Sequence, residues 1–532
     1  MFDKIDADTV PVAFVAFGFI IASFITFFWN KKWGIILLVA GSALLGYFMA
    51  SLDPFLNLWD EQQHALVAKN MANNPFKPTL YNTPLLHYDH KLWIANHIWI
   101  HKQPLFLWQM AIFIKIMGAK VIAVRLPSVI LHAALTYLVY RIGKSMRNET
   151  VGFIAAIFIT VANFPLELIA GRYATDHNDM SFLFYITWSF FSWVEYQKTK
   201  DKKWLIWLGI SAGCAVLVKW LMGLLVYVVW FLVITFQSKL KVWQIKQYFV
   251  MIKPILISLL VFLPWQIYCY FAFPKEFKHE MTYSARHFDE VIEGHSGEWD
   301  YHLDIALEAL YFKKAYLAAD WMPLVMLILV GIGIWQLKNN AYRLFAGITI
   351  VFVYVFFSLA ATKMLGFTLI AMPIVFITMC SGIVWIKELW SKYLKIAIVN
   401  HILLGALILS PSIALLKMDW ISSKHSLEDP ASNDNRQGEL LELELCHRLN
   451  EMYDDEKIVA FNTNITTVGA VQVMFFTDYI AYAQFPTESD LLTVLDAGYK
   501  PVIIDRNDVP EYLVNDPRVE IVQAPTKSRY IQ

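Results

Sequence analysis

The sequence predicts a polytopic α-helical membrane protein followed by a small soluble α/β unit, and three observations carry that expectation. Of 532 residues, 58% are hydrophobic and 17% charged, where an ordinary soluble domain has about 25% charged. Runs of about 20 apolar residues, enough to cross a bilayer as a helix, recur over the first 420 positions. After residue 421 the pattern changes to short apolar runs between amphipathic ones, as alternating strands and helices require. The 20 tryptophans suit a chain that needs anchors at two membrane–water boundaries.

In chain order the apolar runs lie near 11–30, 34–51, 121–140, 151–169, 180–197, 203–219, 220–237, 249–270, 321–337, 343–361, 365–387 and 395–417, about twelve spans. The stretch 203–237 is one long run, divided at Lys219 because a bare lysine at the bilayer centre costs several kcal/mol. Pro104–Met117 is too short to cross and reads as an interfacial helix. Short loops set the orientation. Lys31 and Lys32, then Arg141, Lys144 and Arg147, then Lys198 to Lys203, Lys239 to Lys246, Lys338 with Arg343, and Lys387 to Lys395 alternate onto one side, the cytoplasm. Loops 52–120 and 271–320 and the tail after Met418 then face the periplasm, which makes this an inner-membrane protein.

Residues 1–420 thus form the membrane domain and 421–532 a soluble domain on the periplasmic side. The soluble domain is entered by a polar linker, SSKHSLEDPASNDNRQGE. Its strands are expected at 457–461, 479–483, 501–505 and 519–523, and its helices near 438–450, 466–474, 488–497 and 508–515. It has no glycine-rich phosphate loop. Lys+Arg and Asp+Glu stand at 44 each, so bulk charge gives no reason to expect nucleic acid as a partner. The four cysteines show no zinc or redox spacing, and the acidic N-terminus does not read as a secretory signal.

Chemistry is sought among charges on the periplasmic side, because most of them serve no topological purpose. Asp60 and Glu61 open a helix in LNLWDEQQHALVAKNM. Asp60 fits an N-cap with Gln63 completing a capping box, or a general base or metal ligand at the membrane surface. Lys102 precedes the proline that starts the interfacial helix; it fits a snorkelling anchor, or a phosphate site made of a cation at a helix N-terminus. In GRYATDHNDM, Arg172 lies close to Asp176 and Asp179, either as a closed ion pair or as a phosphate contact with acids that position substrate. Lys219 and Lys363, at span ends, are anchors or further phosphate ligands. Nine of the 14 histidines lie in the two large loops. Imidazoles and carboxylates bind zinc or manganese, but His87-Tyr-Asp-His90 is no standard metal spacing and solvated loop histidines are the plainer account. His101 is the candidate metal ligand, and a divalent metal the only cofactor considered.

Together these pieces resemble the GT-C glycosyltransferases, in particular the protein O-mannosyltransferase and lipid A aminoarabinose transferase families (glycosyltransferase families 39 and 83). Their Asp-Glu helix opening is matched by Trp59-Asp60-Glu61. Their Lys-Pro-Pro-Leu-Phe-Tyr-Trp stretch is matched by Lys102-Gln103-Pro104-Leu105-Phe106-Leu107-Trp108. Their Arg-Leu-Pro-Ser entry is matched by Arg125-Leu126-Pro127-Ser128, and their Ala-Arg-x-x-x-Thr-Asp-Met-Pro motif by Arg172, Thr175-Asp176 and Asp179-Met180. A Leu-x-Lys-Gly-Pro step is approximated by Val218-Lys219-Trp220-Leu221-Met222-Gly223, and a lysine before a late proline-bearing span by Lys363 and Pro373. The resemblance covers nearly all of the membrane part. This chain departs from it in having two spans before the acidic pair, a displaced third motif, and His101 where the aminoarabinose type has glutamate.

The resemblance implies the GT-C fold and transfer of a sugar from a polyprenyl-phosphate donor to a lipid or protein acceptor at the periplasmic face, with inversion at the anomeric carbon. It implies Asp60 as base with Glu61 in support, Lys102, Arg172, Lys219 and Lys363 as phosphate binders, and Asp176 or Asp179 positioning base or sugar. The rival is a multi-span transporter or flippase of lipid-linked sugars. Such proteins place charge near the bilayer midplane and often show internal repeats, and this sequence does neither.

Overall fold

An apolar chain in a bilayer must satisfy its amides within each segment, so the apolar runs among the described residues up to Tyr393 form helices. The computed structural model describes residues 4–58, 60–241, 244–311, 322–393, 405, 431–454, 456–465 and 468–530. The expected span 395–417 apart from Gly405, the first nine residues of the expected linker and Trp59 lie outside the described residues. Long helices run Lys4–Phe27, Lys31–Ala50, Val121–Met146, Asp176–Thr199, Lys203–Lys219, Ile252–Ala272, Asn340–Leu359 and Met372–Tyr393. Length and apolarity alone mark six described helical stretches as able to cross a membrane, with Lys203–Gln237 counted as one, or seven if Glu149–Val161 and Asn163–Ile169, bent by 48°, are one span. The other expected spans fall on helices that are shorter, such as Met322–Trp335, or that carry charge, such as Asp176–Thr199.

The apolar run 203–237 does not continue straight. A helix that long would reach about 50 Å, well beyond a bilayer core. It breaks after Lys219 into a short 3-10 segment, Trp220–Leu224, and Leu225–Gln237 follows. Trp230 then packs on Tyr196 at 5.8 Å, close to the end of the preceding helix, so the chain has turned back. Gly223 makes the turn possible, because a side chain there would overlap the backbone of Val216. The basic loops meet at one end of the bundle: Lys31 pairs with Glu149, Arg147 with Glu388 at 2.8 Å, and Lys338 reaches the Lys144 carbonyl at 3.2 Å.

At the other end lie the large loops. Pro104–Met117 forms the expected short helix, begun by proline and ended at Gly118, whose φ of 82° suits glycine. It packs along Asp60–Asn73. Four parallel strands, β1 Ile458–Phe461, β2 Ile480–Tyr482, β3 Lys500–Asp505 and β4 Glu520–Gln523, lie in the order β2-β1-β3-β4. Val459 stands opposite Ile480 on one side and Pro501 on the other. Each central strand reads as a continuous buried run, as parallel strands covered on both faces do. The sheet unit sits on the first large loop: Lys69 Nζ donates to the carbonyls of Met474, Phe475 and Thr477 at 2.9, 3.0 and 2.6 Å, and Tyr81 stacks on Tyr482 at 5.2 Å.

Candidate functional site

A buried lock holds the start of the Asp60 helix. Arg125, fully buried, donates to both Glu61 oxygens at 2.6 and 2.9 Å and to the carbonyls of Ala50, Asp53 and Phe55. Glu61 also contacts His177 Nε2 at 3.1 Å and accepts from the Asn57 N–H. Burial pushes its carboxyl up, but Arg125 and His177 outweigh that and bring it down to about 2. Gly171, with a φ of 74°, lies against this carboxylate so closely that a Cβ would overlap it. Beside the lock, Asp53 accepts from Arg172 at 2.8 and 3.3 Å and from Arg436 at the start of the C-terminal unit.

The loop that follows Gly171 is strained. Thr175 and Asp176 have φ of 68° and 22°, left-handed conformations unusual for residues with side chains. Each costs on the order of 1–3 kcal/mol and persists only when neighbours over-determine it. Here the Thr175 N–H donates to Asp60 Oδ2 at 3.0 Å, Thr175 Oγ1 bonds Asp179, and Asp176 meets His64 Nδ1 at 3.1 Å. His64 is buried between Trp99 and Phe106, and its Nε2 has no hydrogen-bond partner among the described residues.

A cavity of about 730 Å³ opens against this turn. Asp60, Thr175 and Asn178 line one wall, and His101, Lys102 and Gln103 another. Lys219 and Trp220 line it at the span break, Trp93, Tyr283, His287, Glu293 and His295 from the large loops, and Phe356, Phe357, Met364 and Phe367 from the late helices. Burial pushes the Asp60 carboxyl up. Lys102, the strongest opposing charge, with the Thr175 N–H, holds it below the ordinary carboxylate range. Asp60 therefore presents a charged oxygen to the cavity at neutral pH.

Lys102 Nζ lies 3.2 Å from His101 Nε2, and His101 Nδ1 lies 2.9 Å from Glu280 Oε2, on the second loop's helix Pro274–Arg286. The His101 ring stacks on Trp93 at 4.9 Å. Burial, with Lys102 beside it, holds His101 well below 6.5, so it is neutral. Burial likewise pushes Glu280 up to about 7. Glu293 accepts from Trp93 Nε1 and the Tyr283 hydroxyl, both at 2.6 Å. Lys219 pairs with Asp179 and lies 5.5 Å from the centre of the Phe367 ring. Gly366 leaves room for that pair, since a Cβ there would strike Asp179.

Of the expected site residues, Asp60, His101, Lys102 and Lys219 line the cavity. Asp176 and Asp179 lie behind its wall and act on it through His64, Thr175 and Lys219. Glu61 and Arg172 are instead held in the buried lock and the Asp53 cluster. Lys363 directs its ammonium to the carbonyls of Phe357, Ser358 and Ala360, capping the end of Asn340–Leu359, at 3.2, 2.6 and 2.6 Å. His101 has both ring nitrogens engaged, one of them toward an ammonium, which opposes a metal cation there. Among the described residues no three histidine, cysteine, aspartate or glutamate side chains are grouped to hold a metal ion. The site does not fit one. Sequence reading missed Glu280, Glu293, Trp93 and Tyr283; the concentration of histidines in both loops was the one signal that these segments meet.

A family model of dolichyl-phosphate-mannose-protein mannosyltransferases matches residues 101–268. No curated protein sequence gives a significant match. Among solved structures, ArnT from Cupriavidus metallidurans in the apo state superposes with a TM-score of 0.60 at 13% identity, over 90% of this chain and 87% of that one. ArnT bound to undecaprenyl phosphate gives 0.59 at 13%, over 92% and 90%. Archaeal oligosaccharyltransferase AglB from Archaeoglobus fulgidus, in complex with an inhibitory peptide and a dolichol-phosphate, gives 0.52 at 12%, over 86% of this chain and 65% of that one. The chain has the GT-C fold.

Proposed function

We propose that this protein is a membrane glycosyltransferase that moves a sugar from a polyprenyl-phosphate donor to a hydroxyl of a lipid or protein acceptor on the periplasmic face. The observation that carries the reading is the cavity that brings the Asp60 carboxylate together with the Lys102 and Lys219 ammonium groups beside an apolar wall. Asp60 takes the acceptor proton as the acceptor oxygen attacks the anomeric carbon. The bond from that carbon to the phosphate oxygen breaks, and the phosphate leaves as an anion that Lys102 and Lys219 stabilise in a site with little water. One displacement inverts the anomeric configuration. Phe356, Phe357, Met364 and Phe367 offer the first isoprene units an apolar surface. The GT-C fold, the mannosyltransferase family match and the likeness to ArnT with undecaprenyl phosphate support the donor class. Arg172 and Lys363 are assigned to holding the fold instead of the phosphate, and no step uses a metal.

Asp60→Asn tests the reading, because asparagine keeps the shape and any capping role while removing the basic charge. The expected result is a protein that melts normally, still binds polyprenyl phosphate and transfers no sugar in single-turnover assays. Near-normal turnover would refute the catalytic role of Asp60. Transport of a lipid-linked sugar across proteoliposomes without transfer would favour the flippase instead.

A further inference from the structure

The two large loops join at the cavity through Glu280, His101 and Lys102, beside the Trp93–Glu293 contact. We propose that Glu280 and His101 are positioning residues for the Lys102 ammonium: Glu280 fixes the imidazole tautomer that turns a lone pair toward Lys102, and the imidazole holds the ammonium in place to meet the donor phosphate. This rests on the glycosyltransferase reading above.

The direction of each hydrogen bond follows from what the groups can do. An ammonium only donates. With Lys102 Nζ at 3.2 Å, His101 Nε2 must accept, so the imidazole carries its proton on Nδ1. That N–H points at Glu280 Oε2, 2.9 Å away, which accepts it. The order carboxylate, imidazole, ammonium therefore has one consistent proton arrangement, and it needs His101 neutral. A second proton on His101 would set two donors against each other and two positive charges side by side. The ring is held by stacking on Trp93 and by edge contacts with Trp99 and Tyr283 at 5.8 and 5.5 Å. The titratable groups around this point are Asp60 and His64 from the first loop, His279, His287 and Glu293 from the second, and Lys219 from the span break. Lys102 keeps two further N–H groups for phosphate oxygens. Where the aminoarabinose type carries a glutamate next to its lysine, this chain supplies the carboxylate from the other loop, through histidine.

Binding of polyprenyl phosphate to the purified full chain tests this in a mutant cycle. Glu280→Ala and His101→Phe, the second keeping the stack on Trp93, are each expected to weaken binding about tenfold, an arm of roughly 1.4 kcal/mol. Neither should weaken it further in a Lys102→Ala background, because both act through that ammonium. Glu280→Gln, whose amide oxygen still accepts from Nδ1–H, should restore binding to within about threefold. A merely structural role would lower melting and add in full to Lys102→Ala. Full additivity, or normal binding in both single variants while Lys102→Ala binds weakly, overturns the relay and leaves the functional reading standing. If Lys102→Ala itself binds as tightly as the unaltered protein, Lys102 is not a phosphate ligand, and the functional reading falls with the relay.

Discussion

Glu280→Gln should make the protein more stable at pH 8 and no more stable at pH 4.5. Glu280 is 3% exposed, and burial, the largest influence on it, pushes its carboxyl from the ordinary 4.5 up to about 7, with His279 and Lys102 opposing. Below 4.5 the group is protonated folded and unfolded, and it costs nothing. As pH rises, the unfolded chain releases the proton first, so folding loses stability until the folded group also ionises near 7. At about 1.4 kcal/mol per pH unit, the interval of about 2.5 amounts to about 3 kcal/mol. Glutamine keeps the acceptor for His101 and removes the ionisation. Melting of the detergent-solubilised protein, compared with the unaltered chain from pH 4.5 to 8.5, should show a gap that opens through pH 5–7 and is then flat. A gap of constant size, or one that widens toward acid, would refute the argument. The same variant is expected to bind donor phosphate somewhat less well, so stability and function pull in opposite directions at this position.

Three other outcomes follow from the same geometry. Arg125→Met strands the Glu61 charge in the lock and removes the cap from three carbonyls; it should cost about 3–5 kcal/mol, read as lost expression and early melting. Gly171→Ala forces a Cβ onto the Glu61 carboxylate at a φ of 74°, whereas Gly118→Ala, also at positive φ, meets nothing within 4 Å; the first should melt far below the second. A cysteine at exposed Asn82 should react with a membrane-impermeant thiol reagent added from the periplasmic side, and one at Thr199 should not; reversed labelling would invert the orientation and place the cavity in the cytoplasm.

What the sequence made legible was whatever local pattern controls. The helix Pro104–Met117 has both its signals, proline in and glycine out, and the four strands fall where short apolar runs are bounded by turn residues. Asp60, Lys102 and Lys219, which line the cavity, stand out in the sequence because the topology gives a charge there nothing to do. Pairings across the chain were not legible. Arg172 finds Asp53, 119 residues away, and Arg125 finds Glu61, 64 residues away; nothing local distinguishes a cation that will be locked from one that will meet a ligand. Lys363 lies outside the cavity lining for a related reason. Its helix ends without a glycine cap, and the lysine folds back to serve the last carbonyls. Glu280 gave no signal at all, being one acid in a charged loop segment whose burial depends wholly on the other loop.

The neighbouring acids Asp60 and Glu61 show why such a pair is useful. Successive residues on a helix point about 100° apart, so two adjacent carboxylates cannot both face one cavity. Glu61 turns inward, where two hydrogen bonds from Arg125, itself held by three backbone carbonyls, and the His177 contact fix its direction, and this fixes the rotation of the first helical turn. With that angle set, Asp60 has one place to go, toward the Thr175 N–H and the cavity. Thr175 must then bring its N–H to the carboxylate, and the left-handed backbone at Thr175 and Asp176 is what turns it there. The strain is retained because the lock, the Asp176–His64 contact and the Asp179–Lys219 pair hold the turn from three sides. Glu61 thus acts without touching the cavity: it makes the aim of Asp60 a property of the fold.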